Sequence, residues 1–102
     1  MNQSINDSWW LASLGRTLVW ARLRERDAGT AEVFDSDGNT LAYDSMDTAR
    51  AALMDAEFVE YSGIDEEDAL ARGFSLQEVS PPAAASDIEL RGKMIQQLGT
   101  RA

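Results

Sequence analysis

Carboxylates and an amide alternate through Asp35-Ser36-Asp37-Gly38-Asn39, a run of hard oxygen donors of the kind that can hold calcium. An EF-hand loop places its glycine sixth and a bidentate glutamate twelfth. Counted from Asp35, those places are Thr40 and Met46, so the spacing fails at both diagnostic positions. An Asp-Gly pair between two β-like runs is a hairpin signature instead, and no metal site is expected here. A second cluster, Asp55, Glu57, Glu60, Asp65, Glu66, Glu67 and Asp68, contains no basic residue. Two carboxylates do acid–base work only when burial or a neighbour moves one of them off its ordinary pKa. These lie around turns and at a helix start, so they read either as a solvated face or as a docking surface for a basic partner, not as a catalytic pair.

Arg22, Arg24 and Arg26 stand two residues apart, which on a strand makes a single row. Such a row can hold phosphate or a carboxylate-rich partner, but pairing with acids of the same fold is the simpler expectation. Trp9 and Trp10 are adjacent. On one amphipathic element they cannot both point inward, so one of them is expected at the surface, where tryptophan often anchors a contact. The candidate partner surface is therefore Trp9, Trp10, Glu57, Glu60, Asp65, Glu66, Glu67 and Asp68.

The chain has neither cysteine nor histidine. Thiolate nucleophiles, imidazole bases, Ser-His pairs and disulfides are excluded, and a reducing cytoplasm suits the composition. No phosphate-binding glycine loop, dinucleotide fingerprint, nucleophile elbow or zinc spacing is present. No catalytic residue and no cofactor is expected. Nine basic residues face eighteen acidic ones, a net charge of −9. Nucleic acid and anionic lipid would be repelled, so direct binding to either is not expected. The charge is uneven: up to Arg26 four arginines outnumber Asp7 and Glu25, and the remainder carries sixteen acids against five bases. That asymmetry would allow two copies to pair.

The 102 residues suffice for one domain. Asp7 or Ser8 can cap a short helix through Trp9, Trp10, Leu11 and Leu14, ended by Gly15. From Val19 to Arg24, apolar and arginine-bearing positions alternate as in a strand, although Leu11, Leu14 and Leu18 would share one face of a continuous helix. Strands are expected at Thr30–Asp35 and Thr40–Tyr43, flanking the Asp35–Asn39 turn. A helix is expected from Met46 to about Glu57, capped by Ser45 or Asp44, with Ala49, Leu53 and Ala56 at helical spacing. Phe58–Tyr61 can form a short strand. Asp65–Arg72 reads as a short helix with acids in its first turn, and Phe74–Val79 as a last strand or an extended segment.

Together these describe an α+β domain over residues 1–80, in which an antiparallel sheet of three or four strands carries the main helix on one face. Residues 81–86 read as a Pro/Ala/Ser linker, and 87–102 as a loosely attached amphipathic helix. The function expected is that of a non-enzymatic protein-interaction module, an adaptor, regulator or inhibitor, for a partner with a basic surface. The alternative is an acidic mimic of nucleic acid that blocks a DNA- or RNA-binding protein.

Overall fold

A computed structural model describes residues 7–98 of the chain. Strands β1 (Asp7–Leu14), β2 (Thr17–Glu25), β3 (Ala31–Phe34), β4 (Thr40–Tyr43), β5 (Val59–Glu60) and β6 (Ile95–Gln97) build one sheet, accompanied by helices α1 (Met46–Asp55), α2 (Glu66–Ala71) and α3 (Asp87–Arg91). Every strand pair is antiparallel, in the order β4-β3-β2-β1-β5, and β6 pairs with β2 as well. The fold is thus α+β, as the sequence implies, but with more strands than expected.

The Trp9–Leu14 segment is a strand, not a helix. Leu14 stands opposite Thr17, so Gly15 and Arg16 form a two-residue turn. Gly15, at φ 62°, takes the first turn position, where a tight hairpin needs a positive φ. The same conformational freedom that would end a helix here reverses a strand.

Central strand β2 explains why the tryptophans need not compete for one interior. Both faces of the sheet are covered. On one face Leu11, Leu18, Trp20 and Phe34 pack with Ala69, Phe74, Leu90 and Met94. On the other, Trp10, Ala21, Leu23, Ala31 and Val33 pack with Ala49 and Leu53 of α1. Alternate residues of one strand point to opposite faces. Trp10 is therefore buried under α1, at 2% exposure, while Trp9 packs edge-on against Trp20 on the far face, with ring centroids 6.1 Å apart.

The hairpin at Asp35–Asn39 forms as expected. The Asp35 carboxylate accepts the amides of Asp37 and Asn39, both at 3.0 Å, so its Oδ1 is engaged by the turn itself. Ser45 caps α1 by accepting from the Thr48 amide at 3.1 Å. The helix ends earlier than expected, at Asp55, and Ala56 is exposed while Ala49 and Leu53 are buried. Phe74–Val79 forms no strand; Phe74, Leu76 and Val79 pack on the first core from an irregular segment.

The largest difference lies beyond Pro81. Of the amphipathic helix expected over 87–102, residues 99–102 lie outside the described residues, and the rest is a five-residue helix, α3, followed by strand β6. Gly92 interrupts the helical run, Leu90 and Met94 enter the first core, and Ile95–Gln97 pair with Val19–Thr17. Trp20 donates its amide to the Met94 carbonyl at 2.8 Å. This segment completes the edge of β2 that β3 leaves uncovered, so it is integral to the domain and not a loosely attached tail.

Candidate functional site

The arginine row belongs to the fold. Arg24 lies against Asp7 in a two-point pair, at 2.7 and 2.9 Å. Arg26 approaches Glu32 at 3.8 Å, and Arg22 donates to Asp87 at 3.0 Å. Arg22 is 8% exposed and lies over the Phe34 ring, 5.1 Å from its centroid. Its Nε has no acceptor among the described residues. The hydrogen bond from Arg22 holds the Asp87 carboxyl below its ordinary pKa, and the bond to Asp7 raises that of Arg24. Arg50 pairs with Asp47 at 3.3 Å, and Arg16 donates to the Gly73 carbonyl at 3.2 Å.

The acids between Asp55 and Asp68 behave differently. Asp55, Glu57, Asp65, Glu67 and Asp68 are exposed, and Glu60 and Glu66 are half-buried. Among the described residues none of them forms an ion pair. Two have structural work. Asp65 caps α2 by accepting from the Asp68 amide at 2.9 Å, and Glu66 accepts from Ser75 Oγ and the Leu76 amide, each at 2.9 Å.

The helix ends around this cluster place Glu57 unusually. Both α1 and α2 close with paired reverse hydrogen bonds. In α2 the amides of Gly73 and Phe74 reach the carbonyls of Leu70 and Ala69. In α1 the amides of Glu57 and Phe58 reach those of Met54 and Leu53. This termination needs a left-handed residue, normally glycine. Gly73 supplies it at φ 95°, whereas α1 uses Glu57 at φ 69°.

Glu57 lines a groove of about 720 Å³ together with Leu11–Leu14, Met54, Ala56, Phe58, Val59 and Arg72. A smaller concavity of about 270 Å³ shares Met54, Phe58 and Val59 and is bordered by Glu60. The groove lies at the sheet margin. Strand β5 pairs with β1 only at Trp10 and Leu11. Ala12–Leu14 therefore have β2 on one side and, among the described residues, no strand on the other. Leu14 and Met54 stand 67% and 59% exposed there.

Of the expected contact surface, the structure brings Glu57 and Glu60 to this margin and gathers Asp65, Glu66, Glu67 and Asp68 on α2 and its cap. Trp10 is a core residue, reached only at the lining of the smaller concavity, and Trp9 is half-buried on the opposite face. Leu14, Met54, Phe58 and Arg72 were not legible as site residues, because a helical reading of β1 leaves no sheet edge for them to border. Among the described residues there is no cluster of acids fit to hold a metal ion, and no helix is long and apolar enough to cross a membrane. No protein-family model, curated protein or solved structure matches this chain.

Proposed function

We propose that this domain is a non-enzymatic contact module whose partner presents a basic surface, and that it works in the cytoplasm. One observation carries the reading: four arginines face carboxylates within the fold, while the acids from Asp55 to Asp68 face no cation among the described residues. Arg22, Arg24, Arg26 and Arg50 each face a carboxylate. The seven acids from Asp55 to Asp68 stand without an ion pair among the described residues, and Glu57 among them lines a groove that leaves Leu14 and Met54 exposed. Unneutralised charge speeds encounter with a partner of opposite sign, and an adjacent apolar surface slows its departure. The absence of cysteine means that nothing in the chain calls for an oxidising compartment.

The test is affinity capture from the host's lysate, comparing the native chain with a variant in which Glu57, Glu60, Glu67 and Asp68 are converted to their amides. Basic proteins retained by the native chain at low salt, and lost from the variant, are the expected result. Equal retention by the two chains would refute the reading. Captured proteins that duplex DNA displaces would identify the mimic of nucleic acid instead.

A further inference from the structure

The open margin of β1 has the three parts that strand addition needs. The first is backbone: along Ala12–Leu14 one side of the strand has no partner strand among the described residues. On that side the amide and carbonyl of Ser13 face outward, because Ala12 and Leu14 bond Val19 and Thr17 across the two-residue hairpin, and they are a template for another chain. The second is a seat for side chains. The adjoining groove, about 720 Å³, runs between this edge and the α1–β5 connection, and it leaves Leu14 and Met54 largely exposed beside Phe58. The third is charge. Glu57 lines the groove, Asp55 lies two residues before it, and Glu60 borders the neighbouring concavity. None of these acids is ion-paired among the described residues. Arg72, on the α2 side of the groove, is an exposed donor suited to the carbonyls of an added strand.

We propose that this margin takes up an extended, lysine- or arginine-bearing apolar segment of a partner protein as an additional strand beside Ala12–Leu14. Apolar side chains of the segment would lie on Leu14, Met54 and Phe58, and a cation would face Glu57. In this mode main-chain hydrogen bonds give affinity and alternate side chains give selectivity. A second copy of the chain fits the site less well, because each copy carries a net charge of −9. The proposal rests on the contact-module reading above and specifies its geometry.

Random short linear peptides selected against the full chain provide the probe, followed by amide exchange of the complex with the tightest of them. The retained peptides should alternate apolar residues with lysine or arginine and slow exchange at the Ser13 amide, the one of the three that faces the open side. Methylating alternate backbone nitrogens of the selected peptide should weaken it about tenfold, the order of one lost hydrogen bond, and leaves the protein itself unaltered. Glu57→Lys should weaken it to a similar degree with no loss of helical circular dichroism. Four results would overturn the proposal: enrichment of acidic peptides, protection at Thr40–Tyr43 or α2 in place of Ser13, no peptide retained above the unselected pool, or sedimentation showing a dimer that protects this edge. If the lysate experiment still distinguishes the amide variant in any of these cases, the contact reading survives and only strand addition fails.

Discussion

Arg22 and Glu57 are two residues held where their types are costly, for different reasons. The Arg22 guanidinium is nearly buried, and Asp87 neutralises it from a position that water still reaches, with a side chain 58% exposed. Removing the acid strands the cation, so Asp87→Ala should destabilise by about 1–3 kcal/mol, read from urea unfolding. The Asp87 pKa is lowered in the fold by the hydrogen bond from Arg22. Its stabilising effect is therefore complete above the unfolded carboxylate value and lost as pH falls through the lower, folded one. The stability gap between the native chain and Asp87→Asn should stay constant from neutrality to about pH 5 and shrink below about pH 4. A gap unchanged at low pH would mean that the carboxylate charge is irrelevant there. Glu57, at φ 69°, holds a left-handed position that glycine occupies without a Cβ penalty. Glu57→Gly should raise stability by about 0.5–1 kcal/mol, whereas Glu57→Ala should bring no such gain. Equal effects of the two would assign the difference to charge instead of backbone.

At the level of elements, α1 and the α3–β6 segment each close one face of the sheet. Leu53→Ala and Met94→Ala should each cost about 2–5 kcal/mol, as large-to-small changes at buried sites do. Arg50→Ala, which removes an exposed pair with Asp47, should cost less than about 0.5 kcal/mol. A chain cut after Ser80 should not fold, since Leu18, Trp20 and Phe34 would lose Leu90 and Met94; a native-like melt of the cut chain would disprove this docking. The sequence revealed α1, its Ser45 cap, the Asp35–Asn39 hairpin and α2, because each is written locally in caps, turn residues and helical spacing. It misled at β1 and β6. A strand covered on both faces loses the apolar–polar alternation that marks a half-buried one, so Trp9-Trp10-Leu11 showed no period of two. The pairing of Ile95–Gln97 with Thr17–Val19 is long-range, and no local pattern encodes it. The acids of the candidate site were legible by composition. The groove beside them was not, since it depends on where β5 stops pairing with β1.

Taken as a whole, the molecule pairs four of its arginines with acids and carries a net charge of −9, an excess that should repel itself in the folded state. Added sodium chloride should therefore raise the melting temperature at neutral pH by screening that excess; a fall would mean that the ion pairs of the arginine row matter more than the net charge. The division of one β2 edge between β3 and β6 has a further consequence, in the order of events. Arg22–Glu25 find Ala31–Phe34 nearby in sequence, whereas Thr17–Val19 must wait for Ile95–Gln97. Closing that long loop carries a larger entropic cost than closing the short one. On a ribosome, the half of β2 that bears Leu18 and Trp20 stays unpaired on this side until residue 97 has emerged, with its apolar face open to solvent or to a chaperone. In refolding followed by pulsed exchange, the Leu23 region should gain protection before the Trp20 amide does. Until Ile95–Gln97 are made, the growing chain thus carries a half-built sheet in which β2 still lacks one of its partners.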